Sequence, residues 1–122
     1  MEAWLQSSDL TSKDIAPDRE LIVDILTSHD WGSEEIRMKE FEREGIENCP
    51  AGLGLVSGKG HILHICPSSK EIIIYYHYQA RVLGFLWSAS KTNMLVKTKL
   101  DQTEELVTAF FNENWKLLEN AT

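Results

Sequence analysis

The sequence predicts an α+β fold: an antiparallel β-meander of about five strands, with an N-terminal and a C-terminal helix packed on one face. Two observations support this class. Short runs of β-branched and aromatic residues, separated by turn residues, fill the chain from residue 53 to residue 99. Apolar residues repeat at helical spacing before and after these runs. Since 122 residues suffice for one core, we predict a single domain over residues 1–122.

The chain before the strands predicts a loose arm and then a helix. Residues 1–15 are polar and lack a regular apolar pattern, so we expect an N-terminal arm in which the pair Trp4-Leu5 docks on the body. Pro17 suits the first turn of a helix. Apolar residues then follow at helical spacing within 17–29, namely Leu21, Ile22, Ile25 and Leu26.

A second amphipathic helix is predicted near the end of the sequence. Asp101 and Glu104 have the spacing of a capping box. A broad apolar stripe follows, made of Leu106, Val107, Phe110, Phe111, Trp115 and Leu118. Such a stripe is typical of a helix that covers a sheet.

Residues 33–44 leave two alternatives open, a short helix or an edge strand. Ser33 and Gly45 suit the start and the end of a helix, whereas Ile36 and Met38 alternate as they would in a strand. We favour the helix. The choice matters because this segment is one candidate to cover the sheet.

The predicted strands cover residues 53–56, 61–66, 71–78, 81–88 and 94–99. We expect turns at Ser68-Ser69 and Gln79-Ala80. The first turn places Leu63 opposite Ile74 and Ile65 opposite Ile72. The second turn places Ile74 opposite Phe85, Ile72 opposite Trp87 and Tyr76 opposite Leu83. The predicted core face then carries Leu63, Ile65, Ile72, Ile74, Tyr76, Leu83, Phe85 and Trp87.

The opposite face of this predicted sheet is unusually apolar. It carries Ile62, His64, Cys66, Ile73, Tyr75, His77, Val82, Gly84 and Leu86. An apolar surface of this kind is covered by another element of the chain, by a protein partner, by a second copy or by a small ligand. Residues 33–44 and the Trp4 arm are the candidates for internal cover. As a partner-binding surface we predict Ile62, Ile73, Tyr75, His77, Val82 and Leu86.

The charge of the chain offers an alternative function. The net charge is −7, which disfavours binding to nucleic acid or to an anionic membrane surface. The stretch from Asp30 to Glu47 holds seven acidic residues against three basic ones. It predicts an acidic surface of Glu34, Glu35, Glu40, Glu42 and Glu44, which could block a basic partner as an inhibitor or immunity protein does.

The cysteines and histidines offer a third alternative, a small-ligand site or a minor enzymatic site at His64 and Cys66. These two residues share a face about 7 Å apart, but no third group completes a catalytic set. Two cysteines, Cys49 and Cys66, are too few for a disulfide framework, and whether they pair is left open. We predict no catalytic residue, no metal and no cofactor.

Taken together, these patterns predict a small cytoplasmic, non-enzymatic domain that binds a protein partner or a second copy of itself. We expect no secretory signal and no membrane span, because the start of the sequence is polar and its apolar runs are as short as strands.

Overall fold

A six-stranded antiparallel sheet forms the centre of the fold. The computed structural model of the protein describes residues 1–82 and 87–122. Side chains are described for residues 1–79 and 89–122. The strands are β1 (Glu2–Gln6), β2 (Ser12–Ile15), β3 (Gly52–Val56), β4 (Ile62–Pro67), β5 (Ile72–Val82) and β6 (Trp87–Lys97). The helices are α1 (Arg19–Ser28), α2 (Trp31–Glu44), α3 (Leu100–Phe111) and α4 (Trp115–Asn120).

The strands follow the order β2-β1-β3-β4-β5-β6, and every neighbouring pair is antiparallel. The predicted α+β class is confirmed, with six strands in the described ranges where about five were expected. None of the helices in these ranges is both long and apolar enough to cross a membrane.

One face of the sheet carries the core. Side chains from β3, β4, β5 and β6 meet those of α1 and α3 there, and none of the following is more than 4% exposed: Leu53, Leu55, Leu63, Ile65, Ile74, Tyr76, Leu95, Ile22, Leu26, Leu106, Val107 and Phe110. Burial of each large apolar side chain contributes roughly 1.5–3 kcal/mol. The predicted packing of the first and last helices on one face is therefore present.

The N-terminal arm is part of the sheet, so the prediction of a loose arm at residues 1–15 is wrong. β1 lies between β2 and β3, where Ala3 pairs with Leu55 and Leu5 pairs with Leu53. Ala3 is buried in the core. The segment becomes a strand because β3, which is distant in the sequence, supplies its main-chain hydrogen bonds.

The hairpin of β5 and β6 is longer than predicted, and the expected turn at Gln79-Ala80 is wrong. Gln79 pairs with Ser90 inside the ladder, and its side-chain Nε2 donates to Ser90 Oγ at 2.8 Å. Of the predicted strand 81–88, residues 81–82 belong to β5, residues 87–88 belong to β6, and residues 83–86 lie outside the described residues; the predicted strand 94–99 overlaps the end of β6. A polar residue is stable at this position because a polar residue faces it across the ladder.

The predicted register is shifted by two residues. Leu63 pairs with Tyr76 and not with Ile74, while Ile65 pairs with Ile74. Ile74 in turn faces Leu95 of β6, where Phe85 was expected. A shift of two residues keeps each side chain on its face, so the predicted face of Leu63, Ile65, Ile72, Ile74 and Tyr76 is retained. The predicted core residues Leu83 and Phe85, and the side chain of Trp87, lie outside the description.

The helix ends differ in detail from the predicted caps. Asp18 caps α1, because its carboxylate accepts the Leu21 N–H at 3.1 Å. The predicted capping box at Asp101 is wrong, since the cap residue of α3 is Lys99, two residues earlier, and it makes no side-chain capping bond. The predicted last helix is also divided into α3 and α4, with Glu113 between them at a positive φ of 56°.

The segment 33–44 is helical and belongs to α2, which lies across one end of the sheet. Asp30 caps it and Gly45 ends it in the left-handed conformation, with φ 71°. Trp31 enters the core and donates its Nε1–H to the Leu26 carbonyl at 3.1 Å. The buried Glu34 carboxylate accepts the Ser8 N–H at 2.8 Å. The helix is thus joined to both the N-terminal strands and the core.

We predict that Glu34→Ala lowers the free energy of unfolding by about 1–3 kcal/mol, because it leaves the buried Ser8 N–H without an acceptor. Glu34→Gln should cost less, since an amide oxygen can accept the same bond. The matched control is Glu40→Ala on the exposed side of α2, which should change stability by less than about 0.5 kcal/mol. Urea unfolding followed by circular dichroism measures all three. Equal losses for Glu34→Ala and Glu40→Ala would contradict the assignment.

Candidate functional site

The candidate site is the face of the sheet opposite the core, here called the second face. Directly paired residues of an antiparallel sheet point to the same side. One row of this face therefore runs across five strands through Trp4, Gly54, His64, Tyr75 and Met94. A second row carries Ile62, His77 and Thr92, and a third carries Cys66, Ile73 and Val96.

Trp4 covers the part of the second face that lies over β3. Its indole ring occupies the space that a Cβ atom at Gly54 would need, so the absence of a side chain at Gly54 allows the ring to lie on the strand. The ring centroids of Trp4 and His64 are 6.3 Å apart. The internal cover expected from the Trp4 arm is therefore present at β3.

The middle of the second face carries half-buried aromatic and apolar side chains. The rings of Tyr75 and His77 are stacked with centroids 6.3 Å apart, and His77 Nδ1 lies 2.8 Å from Thr92 Oγ1. Tyr75 and His77, together with Ile62 and Ile73, form the part of the predicted binding surface that the structure brings together. Among the other predicted binding residues, Leu86 lies outside the described residues, as does the side chain of Val82.

Met94 and Val96 belong to the second face, to which the sequence analysis did not assign them. They lie beside Tyr75 and Ile73 on the second face and are 59% and 48% exposed. The turn expected at Gln79-Ala80 left the predicted strand 94–99 without a paired strand, so its residues were assigned to neither face of the sheet. The alternation Met94-Leu95-Val96, with Leu95 buried, is the local signal that points to them.

The helix α2 borders the second face at one end only. A cavity of about 170 Å³ separates it from the sheet, and the lining includes Trp31, Met38, Cys66 and Ile73. Since Met94 remains 59% exposed, internal cover by 33–44 does not extend to β6. The open part of the second face is therefore the region formed by β5 and β6.

His64 and Cys66 lie together, but their electrostatics disfavour covalent chemistry. Cys66 Sγ is 3.6 Å from His64 Nε2. Burial raises the pKa of the Cys66 thiol to about 11, with a smaller contribution from Cys49. Burial, and then the charge of His77, lowers the pKa of His64. At neutral pH the thiol is protonated and the imidazole is neutral, whereas a nucleophilic cysteine needs the thiolate.

Cys49 and His61 make contacts within the fold. Cys49 and Cys66 are both free thiols, and Cys49 Sγ lies 3.3 Å from the Ser7 carbonyl. The His61 ring stacks on Trp115 of α4 at 3.8 Å, and its Nδ1 lies 2.7 Å from the Tyr76 hydroxyl. In the described part of the chain, no group of three or more His, Cys, Asp and Glu side chains is placed to hold a metal ion.

The predicted acidic surface is smaller than expected. The prediction is wrong for Glu34, which is 8% exposed and pairs with Arg37 at 3.5 Å besides accepting the Ser8 N–H. Glu35 accepts the Ser69 N–H at 2.9 Å and pairs with Lys39 at 3.4 Å. The acids of this set that are exposed to solvent are Glu40, Glu42 and Glu44.

We predict that iodoacetamide alkylates Cys66 in the folded protein on the order of 100-fold more slowly at neutral pH than in the unfolded chain, because the raised thiol pKa leaves little thiolate. The rate should still rise with pH well above pH 9. Cys49→Ser isolates Cys66 for this measurement, and Cys66→Ser is the matched variant for Cys49. Equal rates in the folded and the unfolded chain would contradict the assignment.

Comparison with known proteins gives no match for this chain: no protein-family model, no curated protein and no solved structure matches it significantly.

Proposed function

We propose that the protein is a non-enzymatic binding domain that acts through protein–protein contacts on the second face of its sheet. The observation that carries this proposal is the pair Met94 and Val96, two exposed apolar residues beside the half-buried Tyr75 and Ile73. Isolated exposed apolar side chains are common on monomeric proteins, but contiguous apolar patches are typical of interaction sites.

The composition of this region supports a protein partner. A sheet face that is exposed to water normally carries polar residues. The second face over β4 to β6 instead carries Ile62, Ile73, Tyr75, Met94 and Val96. Aromatic residues and methionine are enriched at protein interfaces. Since Met94 and Val96 are 59% and 48% exposed, their complete burial by a partner would contribute roughly 0.7–1.8 kcal/mol each.

The charge distribution also supports apolar contacts. The described second-face positions of β4, β5 and β6 carry no carboxylate, although the chain has a net charge of −7. The acidic residues gather elsewhere, notably on α2. A partner can therefore approach this surface without facing a local excess of negative charge.

A second candidate function is the capture of a basic protein by α2. It is supported by the exposure of Glu40, Glu42 and Glu44 along the outer part of this helix. Such an interaction would depend on charge and would weaken as salt is added. A cytoplasmic location is part of both proposals and is supported by the two free thiols, since disulfides are rare in reducing compartments.

We predict that Tyr75→Glu weakens association through the second face by about 30-fold or more, because it introduces a charge at the centre of the apolar patch. Self-association is measured by light scattering on a sizing column, and binding of other proteins by capture on the immobilised chain. Far-UV circular dichroism should be unchanged.

The matched control is Ile36→Glu, the same kind of change at a 60% exposed position on α2, which should have no effect on second-face association. Reversal of Glu40, Glu42 and Glu44 to lysine tests the second candidate. Loss of binding on this reversal, with normal binding by Tyr75→Glu, would favour the acidic helix over the second face.

A further inference from the structure

We infer that the partner at this surface is a second copy of the chain, which pairs through the outer edge of β6 so that the two sheets become one continuous sheet. This inference rests on the proposed function and names its partner. Three features support it: the outer edge of β6, with which no described strand pairs, the position of its exposed apolar residues and the self-complementary spacing of these residues.

The two edges of the sheet differ sharply. The edge strand β2 has four residues, SKDI, and exposes the charged Lys13 and Asp14. The other edge strand, β6, has eleven residues. Among the described residues no strand pairs with the outer side of β6. Short and charged edges resist pairing, whereas a long edge presents a row of main-chain donors and acceptors to another strand.

The exposed apolar residues lie on this same edge strand. Met94 and Val96 are two residues apart on β6 and therefore point to the same side of the sheet. Tyr75 and Ile73 flank them on β5. A strand added outside β6 would cover the free flanks of Met94 and Val96.

The spacing of these residues is complementary to itself. Two copies of β6 related by a two-fold axis form an antiparallel pair. The core faces of the two copies lie on the same side of the joined sheet only when the residue at the axis faces its own copy. With the axis at Leu95, Met94 faces Val96 of the second copy, and this pair occurs twice. An apolar band then crosses the seam from Tyr75 through Met94 to Val96 and Ile73 of the second copy.

The neighbouring registers are less favourable. With the axis at Met94, Val96 faces Thr92 and Lys91 faces Lys97 of the second copy, which places like charges opposite each other. With the axis at Asn93, Met94 faces Thr92 and Leu95 faces Lys91. The register centred on Leu95 is therefore the one that pairs the apolar residues with each other, and within β6 it pairs residues 93–97 of the two copies.

The lysines of β6 are compatible with this seam. The Lys97 Nζ donates to the Thr122 main-chain oxygen at 2.6 Å and faces Asn93 of the second copy in the register centred on Leu95. In this register Lys91 faces Lys99 of the second copy, which lies beyond the end of β6 at Lys97, so these like charges fall outside the paired segment. On the second face the centre of the seam, formed by Met94 and Val96 of both copies, is apolar and uncharged.

We predict a mass near twice 13.9 kDa by light scattering at high protein concentration. Met94→Lys and Val96→Lys should each weaken the dimer by about 30-fold or more. Both positions are exposed, so circular dichroism should report an intact fold. Ile36→Lys, at an exposed apolar position on α2, is the matched control and should leave the dimer unchanged.

Cysteine cross-linking tests the register. Met94→Cys and Val96→Cys are prepared separately in a Cys49→Ser background and oxidised with glutathione disulfide. Directly opposed residues have Cβ atoms about 4.5–5.5 Å apart, whereas diagonal neighbours are about 7–8 Å apart. A mixture of the two variants should form cross-linked dimers, and each variant alone should form few.

The outcomes separate this inference from the proposed function. A dimer that withstands Met94→Lys and Val96→Lys but is lost with Tyr75→Glu would overturn the β6 seam while supporting the second face as a binding surface. A monomer at every concentration would overturn the inference; if another protein then binds in a Tyr75-dependent manner, the proposed function stands. Cross-linking of Met94→Cys alone would overturn the register centred on Leu95.

Discussion

The burial of one face of β3, β4 and β5 is the constraint on which the rest of the structure depends. Its side chains are completely inaccessible to solvent: Leu53, Leu55, Leu63, Ile65, Ile74 and Tyr76. Because strand residues alternate between faces, each buried residue assigns its neighbours to the second face. Those neighbours are largely apolar or aromatic as well. The sheet therefore has two apolar faces, and α1 and α3 cover only one of them.

The second face is covered unevenly, and this unevenness locates the candidate site. Over β3, Gly54 lacks a side chain and Trp4 lies on it; at one end of the sheet, α2 approaches Cys66 and Ile73. Over β5 and β6, Met94 and Val96 remain exposed. The cover comes from residues that are anchored elsewhere, since β1 pairs with β3 and α2 is joined to the sheet through buried contacts. The apolar region that they do not reach coincides with the long sheet edge.

Burial disfavours covalent chemistry at Cys66 and His64. The groups that could carry covalent chemistry, Cys66 and His64, are both driven to their neutral forms by burial. Two acids of α2 are likewise engaged in structural contacts, because Glu34 and Glu35 accept main-chain hydrogen bonds. The exposed negative charge of this set is thus on α2, at Glu40, Glu42 and Glu44. The described second-face positions of β4, β5 and β6 carry no carboxylate.

The sequence by itself determined the α+β class, the helices before and after the sheet, and the common face of Ile62, Ile73, Tyr75 and His77. These features follow from local periodicity, and a register error of two residues does not change a face. Only the tertiary structure decided that residues 1–15 form strands, that Gln79 lies inside a ladder and that Glu34 is buried, because distant strands and main-chain donors supply their partners. It also decided that Met94 and Val96 join the candidate site, since their face depends on the strand with which they pair.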